Sequence, residues 1–494
     1  MAFIIILILG LVLRLINLNQ SLWLDETTQA VTSLGTFRNI FVELQGDFHP
    51  PLYHILMWGW AHLFGNGEIV MRIPSVLFGV ATIWSVYQIG KLIKPKGSLS
   101  FLTALLMAIA PFHVYYSQEV RTYAFTAFIT CLSFYYFLRL ILNKNPNKLG
   151  YILATVLMLY ADYYGLFTFF AQIIASLFLL RKKITKIIPS FILICLFFIP
   201  CLFLLSVQLK TGSQATFFLP EWGRLVNLSF LKALPLTFIK FSIGRITIFN
   251  KNVYALVSGI IFIVYGFLIV KGLVKNKKLS VDKPLAVILF WLAIPIFLAW
   301  GISFLIPNYQ PFRLLLVLPA FYLLLTYGLS SIKNKITFII FLAFAIIVSG
   351  FSLMTYYTNP YFHREDWRGA FRFIKQKAEE DQIIKNISKN NQDNLDSSNK
   401  TLALLPSETT RFPYDYYSQD KKVLFMGVAK GFATVQEENL IELSENITSV
   451  CYIYYLADLF DPQGLIPNWL ESQKFVKIGE VSFNQIRIQK WQSK

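Results

Sequence analysis

Long apolar runs separated by short basic or aromatic stretches dominate the first 356 residues. The runs are Met1–Leu18, Val70–Ile93, Leu99–Tyr115, Tyr123–Leu142, Tyr151–Tyr160, Gly165–Leu180, Ile187–Val207, Val253–Val270, Leu285–Ile306, Phe312–Leu329 and Ile336–Tyr356. A bilayer core needs about 20 apolar residues per helix, so the pattern predicts about eleven transmembrane helices, with Tyr151–Tyr160 the shortest. The first run has no basic residue before Arg14 and no small-residue cleavage site, and is expected to stay in the protein as a span.

The first connection, Asn19–Ile69, is too long for a simple turn. Within it Phe37, Ile40, Phe41 and Leu44 recur at i, i+3, i+4 and i+7, the spacing of one helix face. Leu52–Phe64 is apolar but too short to span and carries Trp58 and Trp60. Both segments predict helices lying in the membrane interface.

From Tyr357 the pattern changes. An amphipathic helix is expected over Asp366–Glu380, then strands at Thr401–Leu405, Lys422–Met426, Ser449–Leu456, Phe475–Ile478 and Gln485–Gln489. Asn386–Lys400, rich in Asn, Ser, Asp and Lys, reads as a flexible loop. The expected fold is thus a polytopic α-helical membrane domain over residues 1–356, with a small extracytoplasmic α/β domain over residues 357–494.

Composition supports the membrane reading, since 55% hydrophobic and only 15% charged residues exceed what a soluble core hides. The net charge of +18 would suggest nucleic acid if it were evenly spread. It is not: 28 basic and 9 acidic residues precede Tyr357, against 17 and 18 from there on. Short basic loops of a membrane protein explain that excess, and nucleic acid is not an expected partner. The basic clusters are Lys91/Lys94/Lys96, Lys144/Lys148, Arg181/Lys182/Lys183/Lys186, Lys271/Lys275/Lys277/Lys278/Lys283 and Lys333/Lys335. They fall in alternate loops, which places them, and the N-terminus, on the cytoplasmic side of the plasma membrane and the tail outside. Cys131, Cys195, Cys201 and Cys451 have no paired or metal-type spacing.

On that topology eight of the nine acids in the membrane part face outward: Asp25, Glu26, Glu43, Asp47, Glu68, Glu119, Asp162 and Glu221. Asp25, in Trp23-Leu24-Asp25-Glu26, is placed to take a proton from an attacking hydroxyl, or else to cap a helix. Asp47 and His49 precede the rigid Pro50-Pro51 turn and are candidate binding groups. Arg72 is a candidate for a phosphate or for the headgroup layer. The stretch from Pro111 to Tyr123 crowds Glu119, Arg121, Tyr123 and other phenols against an apolar helix end, a costly placement near lipid that favours function. There Glu119 is a candidate for a metal or acceptor, and Arg121 for a phosphate, although a Glu119–Arg121 pair tying off the helix end is the simpler use. Lys210, Arg224, Lys232, Lys240 and Arg245 make the fourth outer loop basic and suggest an anionic partner; Arg313 is a further phosphate candidate. His54, His62 and His113 lack ligand spacing and read as packing residues.

Taken in order, W-L-D-E after the first span, D-F-H-P-P-L-Y, E-x3-R-I-P-S and P-F-H-x-Y-Y-S-Q-E-x-R-x-Y resemble glycosyltransferase family 39. The closer resemblance is to its bacterial dolichyl-phosphate-mannose-transferase-like branch, within the GT-C superfamily of membrane glycosyltransferases. Protein O-mannosyltransferases and lipid A aminoarabinose transferases are relatives. The motifs cover about Leu15–Tyr123, the span layout extends to about Tyr356, and the tail is similar through Asp366-Trp367-Arg368.

The resemblance implies transfer of a monosaccharide from a polyprenyl-phosphate carrier to an envelope acceptor outside the cytoplasmic membrane. It implies Asp25 as general base, Glu26 in orientation, Glu119 as a further acid and Arg121 as the phosphate-side cation. A monophosphate leaving group requires no cofactor; a divalent metal, if used, is expected on Asp25 and Glu119. Inversion by a single displacement is expected. A multispan transporter or flippase, and a ligase or polymerase using a diphosphate-linked glycan, are the alternatives; the one-sided acids argue against the transporter.

Overall fold

Helix after helix follows the apolar runs, because a chain without water to satisfy its backbone must satisfy it internally. The computed structural model describes residues 1–95, 97–275, 278–279, 281–388, 400–418, 423–444 and 446–494. Lys96, Lys277, Lys422 and most of the expected Asn386–Lys400 loop (389–399) lie outside the described residues. The chain divides into two units. One comprises Met1–Leu18, Phe37–Leu209 and Arg224–Phe362; the other comprises Asn19–Thr36, Lys210–Gly223 and His363–Lys494.

Among the described residues, 8 helical segments are long and apolar enough to cross a membrane. They are Glu68–Ile93, Tyr123–Ile141, Ile188–Phe218, Pro220–Ile243, Lys251–Leu273, Lys283–Ile302, Pro311–Leu329 and Lys335–Thr358. Ala2–Leu15, Leu99–Ala108, Lys148–Ala161 and Gly165–Leu180 are apolar but shorter. Every expected run is therefore helical, but the expected count of eleven is not reproduced. Two differences account for this: four runs make short helices, and Pro220–Ile243, read from its charges as a basic loop, is helical. Large apolar side chains stand exposed on the long helices, Phe203 at 73% and Ile336 at 70% among them, a surface suited to lipid and not to water. The chain is a multi-pass membrane protein.

In the first unit a buried arginine mends a broken helix. Pro111 has no N–H and disfavours helical geometry in the residue before it, so the helix Leu99–Ala108 stops and Pro111–Tyr116 starts afresh. That break frees the carbonyls of Met107 and Ala108. Arg14, fully buried, donates to both (3.4 and 3.0 Å), to Gly10 O (2.8 Å) and to Ser117 Oγ (3.2 Å), and lies 2.7 Å from His113 Nδ1. A side chain at Gly79 would collide with Ser117 and Arg14, which explains glycine there. His113 is thus a polar partner of Arg14 as well as a packing residue.

Both expected interfacial helices form, at Phe37–Glu43 and Leu52–Phe64. Ile40 and Leu44 are buried while Phe37 and Phe41 stay exposed, so the apolar face is split between protein and surroundings.

The second unit contains a five-stranded sheet: β1 (Lys400–Ser407), β2 (Val423–Ala429), β3 (Ile447–Ile453), β4 (Phe475–Phe483) and β5 (Ile486–Ser493). Their order is β2-β1-β3-β5-β4, with β2, β1 and β3 parallel and the remaining pairings antiparallel. Central β1 is apolar from Leu402 to Pro406 because both of its faces are covered. Ala403 and Leu405 pack with Trp367, Phe371 and Ile374 of the helix Trp367–Ser388. Leu402 and Leu404 pack on the opposite face with Ile466, Trp469 and Leu470.

Candidate functional site

In the first unit, Asp47 sits at the centre of a polar network built on the Pro50-Pro51 turn. Its Oδ1 accepts the Phe48 N–H at 2.6 Å and lies 2.7 Å from His49 Nδ1; its Oδ2 lies 3.2 Å from His54 Nε2 and 3.9 Å from Arg121 Nη1. A ring nitrogen 2.7 Å from a carboxylate oxygen must carry the proton, so His49 donates from Nδ1 and its Nε2 is the position open to further chemistry. Arg121 Nη2 approaches that same Nδ1 at 3.4 Å and completes the group. Burial pushes the Asp47 pKa up, but the charges of His49 and Arg121 and the hydrogen bonds from both histidines outweigh it and hold the carboxyl well below its usual range. Burial pushes His54 down, with Asp47 opposing. Asp47 is therefore an ionised anchor for two histidines and an arginine.

Gln208 fixes this turn from a distant helix. Its Nε2 donates to Leu44 O (2.6 Å) and His49 O (3.0 Å), and its Oε1 accepts from Tyr163 OH (2.7 Å). Next to Tyr163, Asp162 ends the helix Lys148–Ala161 and accepts the Tyr164 N–H at 2.9 Å. Burial raises its pKa, while His49, the Tyr164 amide, Arg313 and Arg121 pull it back.

Aromatic rings surround the network. The Tyr123 ring centroid lies 6.3 Å from His49, 5.2 Å from Tyr116 and 5.3 Å from Phe312; Tyr116 also meets Tyr115 at 5.1 Å. Arg245 stands over Tyr115 at 5.0 Å, and Arg313 donates to Asn308 O at 3.0 Å, an oxygen that also accepts from Tyr164 OH. A set of phenol faces with arginines at its margin can hold a sugar by its C–H surface and an anion by its charge.

Of the nominated residues, Asp47, His49, Arg121 and Tyr123 come together directly, and Phe312 links Arg313 to Tyr123. Arg72 is buried at 1% exposure and its Nη1 donates to Leu18 O at 2.9 Å, a backbone tie. Glu119 is buried at the end of the same segment as Arg121. The sequence marks Arg245 only as part of a basic outer loop, Asp162 only as one of the outward acids and His54 only as a packing residue, and it does not single out Gln208. The sequence signal for His54 was only its place one helical turn into Leu52–Phe64, and Gln208 gave none.

Asp25 and Glu26 belong to the second unit, in the first turn of the helix Leu24–Leu34. Acids suit that position, where backbone amides lack partners and the helix dipole is positive. Glu26 is fully buried; its Oε2 accepts the Trp23 N–H at 3.4 Å and faces Arg364 Nε at 3.7 Å. Asp25 is half-buried. The pair thus splits into an acid held inside and an acid that reaches solvent.

The model of the family "Dolichyl-phosphate-mannose-protein mannosyltransferase" matches residues 48–205. No curated protein matches the sequence. Among solved structures, ArnT from Cupriavidus metallidurans in the apo state is similar over 99% of this chain and 97% of its own, at 13% identity and a TM-score of 0.58. ArnT bound to undecaprenyl phosphate gives 0.57, at the same identity and coverage. The archaeal oligosaccharyltransferase AglB from Archaeoglobus fulgidus, in complex with an inhibitory peptide and a dolichol-phosphate, gives 0.52 at 13% identity, over 99% of this chain and 74% of AglB.

The fold is that of ArnT and AglB. The family match takes in His49, Arg72, Glu119, Arg121 and Tyr123, whereas Asp25, Glu26, Asp47 and Arg313 fall outside it. Among the described residues no three His, Cys, Asp or Glu side chains form a group that could hold a metal ion.

Proposed function

We propose that this protein is a GT-C glycosyltransferase that transfers a monosaccharide from a polyprenyl-phosphate carrier to an envelope acceptor at the outer face of the cytoplasmic membrane. The observation that carries the reading is the Asp47–His49–Arg121 network among phenol rings, of which His49, Arg121 and Tyr123 lie inside the family-matched stretch. Asp47 holds His49 and Arg121 in place, and the guanidinium groups of Arg121 and Arg313 are the charges set to receive an anion. The lipid phosphates named with ArnT and AglB lend support to a phosphate of that class.

In the proposed reaction an acceptor hydroxyl oxygen attacks the anomeric carbon from the face opposite the phosphate. The new C–O bond forms as the bond to the phosphate oxygen breaks, and the electron pair leaves on the polyprenyl phosphate. Arg121 and Arg313 stabilise the charge that grows there. The hydroxyl proton passes to Asp25, and Glu26, held by Arg364, sets the orientation of its turn. One displacement inverts the anomeric centre and leaves no sugar on the protein.

The test is transfer by the purified protein in lipid nanodiscs, with a polyprenyl-phosphate sugar offered beside a diphosphate-linked glycan. Consumption of the monophosphate donor with inversion supports the reading. Use of the diphosphate donor alone would assign a ligase, and a glycosyl-enzyme trapped on Asp25 or Glu26 would refute single displacement.

A further inference from the structure

Within the turn that carries Asp25, Glu26 closes a capping box by accepting the Trp23 N–H at 3.4 Å; the next amide takes its acceptor from outside the turn. The Leu24 N–H is accepted, at 3.2 Å, by Oε2 of Glu365, 341 residues further along the chain. Glu365 is itself locked on every side: Trp367 Nε1 donates to Oε2 at 2.7 Å and Tyr455 OH to Oε1 at 2.8 Å. Trp367 opens the long helix of the α/β fold, and Tyr455 lies just past the end of β3. Tyr417 and Arg368 secure the preceding residues. The Leu22 N–H donates to Tyr417 OH at 2.7 Å, Ser21 Oγ accepts the Arg368 N–H at 3.0 Å, and Arg368 Nη2 donates to Asn19 O at 2.8 Å.

A buried carboxylate is an expensive way to tie down a loop, since the same space filled by apolar groups costs less. Burial raises the Glu365 pKa, and the charge of Asp25 raises it further, so the two acids act on one another. Glu365 satisfies two donors of the α/β core, Trp367 and Tyr455, and with the same carboxylate takes the Leu24 amide, so the core is tied to the turn on which Asp25 stands.

We propose that Glu365, held by Trp367 and Tyr455, is a positioning residue for the transfer reaction: it fixes the first turn of Leu24–Leu34, making the α/β fold part of the machinery that activates the acceptor. This rests on Asp25 being the general base. A carboxylate displaced by about 1 Å from a reacting hydroxyl costs on the order of 100-fold in rate.

The experiment compares full-length wild type with Glu365→Ala, Glu365→Gln, Tyr455→Phe and Asp25→Asn, each normalised to folded protein by gel filtration. Glu365→Ala is expected to lower kcat about 100-fold with the donor KM within about twofold, because the donor cations are untouched. Glu365→Gln keeps an acceptor oxygen for Leu24 and is expected to recover about tenfold of that loss; Tyr455→Phe, losing one donor, falls about tenfold. A merely structural role would leave kcat per folded molecule unchanged in all three. If Asp25→Asn is inactive while Glu365→Ala and Tyr455→Phe turn over like wild type, the positioning role fails and the base assignment stands. If Asp25→Asn keeps full turnover, the base assignment fails and the positioning role falls with it. Should Glu365→Ala not fold, Glu365→Gln and Tyr455→Phe decide.

Discussion

Replacing Asp47 by Asn tests whether a single charge organises the donor network. The amide keeps an oxygen for the Phe48 N–H and His49, but turns an NH2 toward His54 Nε2, 3.2 Å from the present oxygen, and toward Arg121 at 3.9 Å. Asp47 and Arg121 attract each other by about 4 kcal/mol at that distance and an effective dielectric near 20. Breaking a buried pair by removing one partner costs about 3–5 kcal/mol, because the survivor stays buried and uncompensated. The lower figure applies here, since half of the hydrogen bonds survive. A loss of about 3 kcal/mol, on the order of 5 °C in Tm, is the expected outcome in a detergent-solubilised thermal unfolding assay.

The pH dependence fixes the cause. A carboxyl whose folded pKa lies well below its unfolded value of about 3.9 stabilises the fold above that value, and the contribution is lost as pH falls through the folded pKa. The gap between wild type and Asp47→Asn should therefore stay flat from about pH 8 to 5 and close below about pH 4. A gap under about 1 kcal/mol at neutral pH, or one that widens on acidification, would refute the reasoning.

Three further outcomes follow from the same structure. Asp25→Asn should lose about 100- to 10,000-fold in turnover with an unchanged melting temperature, whereas Glu26→Gln, which strips a buried partner from Arg364, should lower the melting temperature; steady-state transfer and thermal unfolding separate them. Arg121→Lys should raise the donor KM about tenfold, since a lysine cannot reproduce the fork of donors, and titration with polyprenyl phosphate reads this directly. Arg14→Leu should cut the yield of folded protein sharply, because the carbonyls freed by Pro111 would lose their donors inside the bundle; size-exclusion profiles after solubilisation show it.

Apolar periodicity made the helices and all five strands legible, because burial is written residue by residue into the pattern. Length near the threshold was less legible: Leu99–Tyr115 reads as one run, yet Pro111 divides it, and the division matters only once Arg14 is seen to serve it. Pro220–Ile243 was hidden by its lysines and arginines. They occupy helix ends and margins, where Lys240 donates to the carbonyls of Arg245 and Ile246; Arg245 itself, just past the helix end, stacks on Tyr115.

Within the candidate site, residue types announced chemistry but not partnership. Asp47 and Arg121 are far apart in the chain, and only folding shows that they share His49. Gln208 looks like any polar residue of a long helix until it is found holding the His49 carbonyl. The tie between Leu24 and Glu365 spans most of the sequence and has no local signature.

The most direct test of the proposed reaction is a single-turnover assay on purified protein with a polyprenyl-phosphate-linked sugar. The acceptor is supplied as an envelope extract, and wild type is compared with Asp25→Asn and Arg121→Lys. Release of free polyprenyl phosphate coupled to an inverted glycosidic product in wild type, lost in Asp25→Asn and displaced to higher donor concentration in Arg121→Lys, is the predicted result. Sugar-lipid that crosses or leaves the membrane with its phosphate bond intact, and no glycosidic product from any acceptor, would contradict it.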